Sequence, residues 1–361
     1  MFIVLIYKLA NIKIIGGYTV KALMYNGPRD LAIVNIPEPN PASGQVKIKT
    51  KYVGICGSDI HGYTGESGRR IPPMIMGHEF SGIVVECGKG AVRFNKGDRV
   101  TVQPIMYCGI CDFCKQGLNN ICSNRKGLGT MDINGAFTEY ICVNEKFVFP
   151  LAQSISDEAA AMMDPFAVVY RALKHIMPVE GRNVLIAGTG TIGLLLLKLI
   201  KFHNPKHIVV IDLSNYRLEL AKKFGADITI NPREKDISAL LKEAGIRDSI
   251  DIAIECVGIS ATAQNTIEFV RNNGMVVWIG NAAKMISINM QHIVTREVVV
   301  KGSYGFTEQD FSDALHFLEQ GNIIIEDLIS KKISLEEAPL AFEEFTKGAG
   351  EAIKVLVDMD K

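Results

Sequence analysis

The sequence of 361 residues has no excess of either charge, because Lys plus Arg and Asp plus Glu both number 39. Without a basic excess, the chain has no electrostatic footprint for nucleic acid, and we expect no nucleic-acid partner. It also contains no internal repeat and no low-complexity segment. With 48% hydrophobic and 22% charged residues, the composition predicts a folded chain with a large core. At about 150 residues per domain, this length predicts roughly two domains.

The sequence also lacks an uninterrupted apolar run of the length that crosses a bilayer, about 20 residues. The most apolar stretch, residues 1–19, is broken by Lys8, Asn11 and Lys13. A signal peptide would place charge before the apolar run and end in a small-residue cleavage site, and neither feature is clear here. We therefore predict an N-terminal extension ahead of the first domain, with an added strand as one form of it, and no membrane partner.

The eight cysteines are distributed in a way that argues against a disulfide framework. Four of them lie within fifteen residues, a density that predicts a metal site. Cys87, Cys142 and Cys256 have apolar neighbours, and we expect them to pack as small hydrophobic side chains. Thiolate metal sites together with free thiols predict a reducing, cytoplasmic compartment.

The crowded cysteines are Cys108, Cys111, Cys114 and, after seven further residues, Cys122. Four thiolates at this spacing can complete a tetrahedral structural zinc site, which leaves no position for a substrate. An iron–sulfur cluster is the alternative. Its bacterial pattern has three residues before the fourth cysteine and a proline after it, whereas Ser123 follows here. We therefore predict structural zinc in a lobe at residues 104–125.

A second candidate metal site combines different side chains. Cys56 supplies a thiol, His78 an imidazole and Glu79 a carboxylate, and Asp164 can add a second carboxylate. One Cys, one His and one carboxylate with an open fourth position are typical of a catalytic zinc environment. The alternative is that these side chains are ordinary core residues. For Asp164 the alternative is the N-cap of a helix at residues 166–175.

Polar side chains near these candidate ligands predict a path for a proton. Ser58 and His61 are spaced to carry a proton from a zinc-polarised oxygen towards water, and Asp59 could orient a ligand imidazole. Arg69 and Arg70 lie in the same segment. A guanidinium group there could bind a terminal phosphate. We favour the alternative, a solvated pair on a loop, because charged side chains usually face water.

The hydrophobic pattern changes along the chain. From about residue 20 to residue 150, short β-rich segments alternate with turns containing Gly, Pro and Asn, which predicts a small barrel-like domain. Beyond residue 183, strands alternate with helices, which predicts a parallel, doubly wound α/β sheet. We expect the final strand, at residues 352–357, to return to the first domain.

Residues 188–193 read Gly-Thr-Gly-Thr-Ile-Gly, directly after a buried-strand run and directly before an apolar helix. In this context the glycines permit a tight turn and the helix N-terminus binds a pyrophosphate. Asp212, about 20 residues further on, would bind both ribose hydroxyls and repel a 2′-phosphate, so the sequence favours NAD over NADP. The predicted cofactor-binding residues are Gly188, Gly190, Thr191, Ile192, Gly193, Asp212, Arg217 and Val257.

Together these motifs resemble those of the zinc-dependent medium-chain dehydrogenases, and within them the sorbitol, butanediol and threonine dehydrogenase branch. The resemblance runs from about residue 20 to the end and includes CGSDIH at 56–61, GHE at 77–79, the four cysteines and the glycine motif. It implies an α/β protein with a GroES-like β-rich catalytic domain at residues 20–166 and 306–361. A Rossmann domain that binds NAD would occupy residues 167–305.

The resemblance also implies roles for individual residues. Cys56 and His78 match ligands of a catalytic zinc ion, Asp164 falls at a further ligand position, and Glu79 matches a residue that can approach the metal. Many polyol members have Glu where this chain has Asp164, so the choice between Asp164 and Glu79 stays open. The resemblance therefore implies two zinc ions per chain, one catalytic and one structural.

The implied function is oxidation of a secondary hydroxyl of a polyol or vicinal diol to a ketone. NAD would accept the hydride, and Ser58 would pass the proton towards His61 or the ribose. The alternatives are an L-threonine 3-dehydrogenase, a polyol-phosphate dehydrogenase, a secondary alcohol dehydrogenase and a dinucleotide-binding protein without catalysis. The expected assembly is a homodimer or homotetramer.

Overall fold

The computed structural model describes residues 18–131, 133–348 and 350–361. The predicted N-terminal extension, residues 1–19, lies outside this part of the chain except for Tyr18 and Thr19, and Thr19 already begins the first strand. In the described part of the chain, each helix is too short or too polar to span a bilayer.

The N-terminal part of the chain is built mainly from short strands, as the turn-rich sequence predicts. Two 3-10 helices, Asn119–Ile121 and Glu145–Phe147, join them. In chain order the elements are β1 (Thr19–Gly27), β2 (Asp30–Pro37), β3 (Gln45–Gly54), α1 (Gly57–Tyr63), β4 (Met74–Ile75), β5 (Glu79–Cys87), β6 (Arg99–Val102), β7 (Ile105–Met106), α2 (Asp112–Lys115), β8 (Lys126–Gly127), β9 (Tyr140–Asn144), β10 (Val148–Pro150) and α3 (Asp157–Ala161).

The middle of the chain alternates between helices and strands. Its elements are α4 (Met163–Ile176), β11 (Asn183–Ala187), α5 (Thr191–Phe202), β12 (His207–Ile211), α6 (Asn215–Lys223), β13 (Ile228–Ile230), α7 (Ile237–Glu243), β14 (Ile250–Glu255), α8 (Ser260–Phe269), β15 (Val270–Trp278), α9 (Gln291–Val294) and β16 (Val299–Gly302). The C-terminal elements are α10 (Glu308–Glu319), a 3-10 helix (Glu326–Leu328), β17 (Ile329–Ile333), α11 (Ala338–Thr346) and β18 (Lys354–Asp358).

Strands from both ends of the chain form one domain, the predicted catalytic domain. The order in its main sheet is β10-β6-β5-β3-β18-β17, with β9 also paired to β3. The predicted return of the last strand is confirmed, because β18 runs antiparallel to β3. Alternate side chains such as Ile48, Val100 and Val357 point into one core because successive residues of a strand face opposite sides. A smaller sheet, β2-β1-β4, packs beside it.

The second domain contains one six-stranded sheet with the order β13-β12-β11-β14-β15-β16, and each pairing in it is parallel. The chain reverses its direction of travel across the sheet between β11 and β14. Ligands of such sheets bind in the crevice outside the carboxyl ends of the two strands at this switch point. The predicted doubly wound sheet is therefore confirmed, and the glycine motif lies directly after β11.

The alternative prediction for Asp164, the N-cap of a helix at residues 166–175, is wrong. Helix α4 begins at Met163 with Met162 as its N-cap, so Asp164 lies in the first helical turn rather than at the cap. Pro165 does not interrupt the helix, because the first turn has backbone N–H groups without helical partners and tolerates proline. As a result helical geometry fixes the backbone of Asp164.

Cys87 does not pack as a small hydrophobic residue. It is exposed at the end of β5, where the strand leaves the sheet, and its thiol contacts the carbonyl oxygen of Phe94 at 3.3 Å. Cys142 and Cys256 are partly buried, in closer agreement with the prediction.

Helix α10 packs against α4, although the predicted limits placed residues 306–361 in the catalytic domain. Phe311 and Leu315 on α10 belong to the same apolar core as α4, α5 and strand β11. Arg171 on α4 also forms an ion pair of 2.7 Å with the buried carboxylate of Asp310. The domain limits remain a prediction, but this helix buries its apolar face against the domain that contains the six-stranded parallel sheet.

Candidate active site

The loop after β3 fixes the thiol of Cys56. Cys56 is the N-cap of α1: its Sγ accepts a hydrogen bond from the backbone N–H of Ser58 at 3.4 Å. In return, the Asp59 carboxylate accepts the backbone N–H of Cys56 at 3.2 Å. This capping box satisfies N–H groups that a helix start leaves without partners, and it holds the thiol in one orientation.

His78 lies immediately before β5, and its side chain is 6% exposed. Its Nδ1 atom is 3.4 Å from Oδ1 of Asp59, and its Nε2 atom is 3.5 Å from Oγ of Ser58. Burial alone would raise the pKa of Asp59, but His78 and Arg70 outweigh burial and lower it to about 2. A ligating imidazole usually has its second nitrogen against a carboxylate, as here, so Nε2 is the atom available to a metal.

The candidate catalytic ligands lie close together. The ligand atoms of Cys56, His78 and Glu79 are all within 4.8 Å of one another, a group compact enough for one metal ion. Asp164 is not part of that compact group, but it lines the same cavity as Cys56 and His78. Loss of hydration, helped by the negative charge of Glu79, raises the pKa of Asp164 to about 7. The charges of His78 and Lys354 act to lower this pKa, but neither residue bonds to the carboxyl in the described structure, so it is open to a bound cation.

Glu79 has a partner that the sequence analysis missed. Nζ of Lys354, at the start of β18, forms an ion pair with Oε2 of Glu79, and the two side chains are 2% and 1% exposed. Lys354 also donates to the carbonyl oxygen of Ile55 at 3.2 Å. A Cβ atom at Gly54 would lie 2.4 Å from Oε2 of Glu79, so the pair requires glycine there. One carboxylate oxygen of Glu79 is therefore already occupied.

The four-cysteine lobe has the geometry of a tetrahedral thiolate site. Four Sγ–Sγ distances lie between 3.5 and 4.0 Å. Tetrahedral zinc with Zn–S bonds of about 2.3 Å separates its sulfur atoms by about 3.8 Å, so these thiols fit the ion. They are too far apart for disulfide bonds, whose sulfur atoms are about 2 Å apart. Backbone N–H groups around Cys108 lower its pKa to about 6 and so favour the thiolate.

The predicted proton path is only partly continuous. Ser58 lies between the candidate ligands, since its Oγ atom is 3.4 Å from Sγ of Cys56 and accepts a hydrogen bond from Arg70 at 3.2 Å. His61 is on the same helix but bonds to Glu66 at 3.0 Å, and its side chain is 46% exposed. No hydrogen bond joins His61 to Ser58 within the described residues. The relay through His61 stays a prediction.

The interpretation of Arg69 and Arg70 as a solvated pair is wrong for one of them. Arg69 is exposed, but the Arg70 side chain is 3% exposed and pairs with Asp59 at 2.8 Å. Gly62 permits this burial, because a Cβ atom there would lie 2.6 Å from Cδ of Arg70. Arg70 thus supports both Asp59 and Ser58 from inside the protein.

Local structure requires two of the three glycines of the nucleotide motif. Gly188 has a φ of +97°, which other residues rarely adopt, and a Cβ atom at Gly193 would lie 1.9 Å from the Gly188 carbonyl oxygen. A Cβ atom at Gly190 would meet no protein atom within 4 Å, so packing does not require glycine there. Gly190 is the N-cap of α5 and makes no side-chain cap, which leaves the helix N–H groups open to a phosphate.

The other predicted cofactor residues surround the same crevice. Asp212 accepts the backbone N–H groups of Thr189 at 2.6 Å and Ser214 at 2.9 Å, which fixes its carboxylate at the end of β12. Arg217, Val257 and Asp212 line one cavity of about 430 Å³. Arg217 also lines the neighbouring cavity, together with Gly190, Thr191 and Ile192. The hydroxyl of Thr191 donates to the carbonyl oxygen of Ile353 at 2.7 Å, which joins the two domains.

Sequence reasoning missed Glu255, which ends β14. Its carboxylate is 1% exposed and accepts hydrogen bonds from the backbone N–H groups of Val257 and Gly258 and from the hydroxyl of Thr262. It therefore holds the loop whose Val257 side chain covers Gly188. The sequence signal that could have identified Glu255 is an acidic residue at the end of a buried strand.

The fold and the site define a dehydrogenase that binds a metal and a dinucleotide, and comparisons with known proteins agree. Residues 42–153 match the alcohol dehydrogenase GroES-like domain, and residues 191–320 match the zinc-binding dehydrogenase model. These matches cover more than half of the sequence, so the chain belongs to the zinc-binding alcohol dehydrogenase family. It is an oxidoreductase whose cofactors are zinc and a nicotinamide adenine dinucleotide.

Individual relatives cover almost the whole chain. A sorbitol dehydrogenase of Halalkalibacterium halodurans is 36% identical over 92% of this chain and 96% of its own length. A D-arabitol-phosphate dehydrogenase of Enterococcus avium is 34% identical over 92% and 95%. The NADH complex of an E. coli CFT073 protein, described as a short chain alcohol dehydrogenase (rspB), superposes with a TM-score of 0.88. It is 29% identical and covers 95% of this chain and 100% of its own.

Proposed function

We propose that this protein is an NAD-dependent polyol dehydrogenase that oxidises a secondary hydroxyl of a polyol or vicinal diol to a ketone. One observation carries the proposal. A cavity of about 380 Å³ is lined on one side by Cys56, His78 and Asp164, and on the other by Ile192 and Ile279 of the dinucleotide-binding domain. Candidate zinc ligands and the glycine motif therefore share one space. The similarity to a sorbitol dehydrogenase supports a polyol as the substrate class.

Cys56, His78 and Asp164 would hold the catalytic zinc ion in this cavity, with Glu79 as the alternative to Asp164. Bound zinc polarises an alcohol oxygen and lowers the pKa of the hydroxyl. We favour Asp164 because Lys354 already occupies one oxygen of Glu79. Asp59 keeps Nε2 of His78 aimed at the cavity, and Cys108, Cys111, Cys114 and Cys122 would hold the structural zinc ion.

Ser58 is the first proton acceptor in this proposal. Its Oγ atom lies 3.4 Å from Sγ of Cys56 and 3.5 Å from Nε2 of His78, so it adjoins the position where a ligated hydroxyl reacts. As Oγ takes the substrate proton it gives up its own, so the hydroxyl stays neutral, and the hydrogen bond from Arg70 holds it in position. The proton that leaves Oγ would pass through water to His61, which is 46% exposed and bonded to Glu66, and from there to solvent.

The cofactor preference is NAD. NAD supplies a hydride acceptor, and its pyrophosphate would meet the open N-terminus of α5 at Gly190. The guanidinium Nε of Arg217 is buried without a hydrogen-bond partner in the described structure, which suits a phosphate contact. Asp212 would bind the ribose hydroxyls and repel a 2′-phosphate.

The chain forms a homodimer or homotetramer in this proposal. Strand β16 is at the edge of the parallel sheet, and an uncovered edge strand offers unpaired N–H and C=O groups to a second copy. Val299 on this strand is 49% exposed, and the nearby Met290 and Val294 are also exposed apolar side chains. We also infer a reducing, cytoplasmic compartment, since none of the eight cysteines, all within the described residues, forms a disulfide bond.

A panel of alcohols tests the proposed function. Purified zinc-loaded protein is mixed with NAD at alkaline pH and sorbitol, 2,3-butanediol, isopropanol or L-threonine, and NADH formation is followed by absorbance. We expect the highest kcat/KM with a polyol or vicinal diol, and a loss of about 100-fold or more in Ser58→Ala if Ser58 accepts the proton. Efficient oxidation of threonine, with none of sorbitol or butanediol, would overturn the polyol assignment.

A further inference from the structure

The charged residues that line the substrate cavity are mostly cationic. Three arginines, Arg69, Arg70 and Arg125, line it, whereas Asp164 is the only carboxylate residue among the lining residues that the structure describes. Arg70 is already paired with the buried Asp59 at 2.8 Å. Arg69 and Arg125 remain to be explained.

Arg69 lies in the loop between α1 and β4. Its side chain is exposed and makes no hydrogen bond or ion pair with any residue in the described ranges; only its backbone N–H is bonded, to Ser67 at 3.3 Å. An arginine at the wall of a cavity without a protein partner keeps its full set of donors for a ligand.

Arg125 lies just before β8, at the base of the four-cysteine lobe, and is held in place. Its guanidinium carbon is 5.4 Å from the ring centroid of Tyr304, and one terminal nitrogen donates to the carbonyl oxygen of Cys122 at 3.4 Å. Tyr304 is itself fixed, since Asn120 donates to its carbonyl oxygen at 2.7 Å. The Nε atom of Arg125 is buried and has no hydrogen-bond partner within the described residues.

A buried donor without a partner costs free energy, so a ligand that supplies an acceptor here gains binding free energy. A neutral polyol could accept hydrogen bonds but would not balance two guanidinium charges. A phosphate monoester carries up to two negative charges and accepts paired N–H bonds from planar guanidinium groups. The cavity volume of about 380 Å³ falls within the range of small-molecule sites.

We propose that the substrate is a phosphorylated polyol whose phosphate group is bound by Arg69 and Arg125. The hydroxyl to be oxidised lies at Cys56, His78 and Asp164, and the phosphate lies at the arginine-lined part of the same cavity. This inference rests on the proposed function, because it assigns one end of the substrate whose other end is oxidised. Arg70 stays paired with Asp59 and supports Ser58.

Two measurements test the phosphate site. The first compares kcat/KM for sorbitol, sorbitol 6-phosphate and gluconate in the wild type, Arg69→Ala, Arg125→Ala and Lys115→Ala. We expect the wild type to prefer the phosphorylated polyol, and each arginine variant to lower the ratio of kcat/KM for sorbitol 6-phosphate to that for sorbitol by about 10- to 100-fold. Lys115 is exposed on the same lobe outside the cavity, so Lys115→Ala controls for lost net charge.

The second measurement is titration calorimetry of inorganic phosphate into zinc-loaded protein saturated with NADH, which does not depend on turnover. We expect at least tenfold weaker phosphate binding in Arg69→Ala and Arg125→Ala than in Lys115→Ala. Because Arg125 packs on Tyr304, the Arg125→Ala substitution can also disturb folding. Arg69 is exposed, so Arg69→Ala tests the phosphate site without that complication.

The possible failures are distinguishable. If sorbitol is oxidised as efficiently as its phosphate, or if the arginine variants leave the substrate ratio and the phosphate affinity unchanged, the phosphate site is wrong while polyol oxidation stands. An arginine-dependent preference for gluconate over sorbitol 6-phosphate would replace phosphate by carboxylate and overturn the assignment. If no polyol reduces NAD, the proposed function fails. The calorimetry then decides by itself whether Arg69 and Arg125 bind an anion.

Discussion

Replacing Lys354 with methionine removes the cation that balances the buried carboxylate of Glu79. Both side chains are almost completely excluded from solvent, at 2% and 1% exposure. Removing one partner of such a pair leaves an uncompensated charge or forces a proton onto the carboxylate, and it costs about 3–5 kcal/mol. The methionine replaces most of the apolar stem, so the loss is mainly electrostatic.

Differential scanning calorimetry of zinc-loaded protein measures this loss. A domain of roughly 150–250 residues loses about 2–4 °C in Tm per kcal/mol, so we expect Lys354→Met to lower the Tm of the catalytic domain by roughly 6–20 °C. The double variant Glu79→Gln with Lys354→Met should recover a large part of this loss, because it leaves no buried charge without a partner.

Lys21→Met is the matched control. Lys21 also pairs with a glutamate, Glu336, but these two side chains are 55% and 52% exposed, and exposed ion pairs contribute little to stability. Its Tm should stay close to that of the wild type. If Lys354→Met and Lys21→Met melt at the same temperature, with equal zinc contents, the buried pair does not stabilise the fold as we have argued.

Three further predictions follow from other parts of the structure. Cys111→Ser should remove one zinc ion per chain by metal analysis and lower the Tm, and an unchanged zinc content would refute the four-thiolate site. Asp212→Ser should shift the ratio of kcat/KM values from NAD towards NADP by about tenfold or more, and an unchanged ratio would mean that Asp212 does not face the ribose. Although burial alone would raise the pKa of Asp310, bonds from Lys174 and Arg171 lower it from 3.8 to about 2. This contribution, about 1–2 kcal/mol after allowance for solvent, is present above about pH 4 and disappears as the pH falls towards 2. Urea unfolding of Asp310→Asn should therefore differ from wild type at pH 7 and converge with it near pH 2; a constant difference across this range would contradict the pairing.

The elements that the sequence predicts well are those with strong local signals. The β-rich segments between residues 20 and 150 and the alternating strands and helices beyond residue 183 both form, because β-branched runs between turns leave little choice. Gly188 and Gly193 could be assigned because their roles depend on the local turn alone. The two groups of candidate ligands, around Cys56 and Cys108, also form compact sets.

Partners that come from distant parts of the chain were not predictable. Lys354 reaches Glu79 across 275 residues, and its strand contains no pattern that distinguishes a buried lysine from an exposed one. Arg70 could not be distinguished from Arg69, because only the packing against Gly62 buries one of them. Local rules also misplaced Asp164, since the helix starts before it and tolerates the following proline.

The most direct test of the account is the zinc content and turnover of Cys56→Ser beside the wild type. The account predicts two zinc ions per wild-type chain and NADH formation with a polyol substrate. For Cys56→Ser it predicts one zinc ion per chain, no measurable turnover and retained binding of NADH, measured by fluorescence. Turnover near the wild-type level in Cys56→Ser protein that has lost its second zinc ion would contradict the assignment of this cavity as the catalytic metal site.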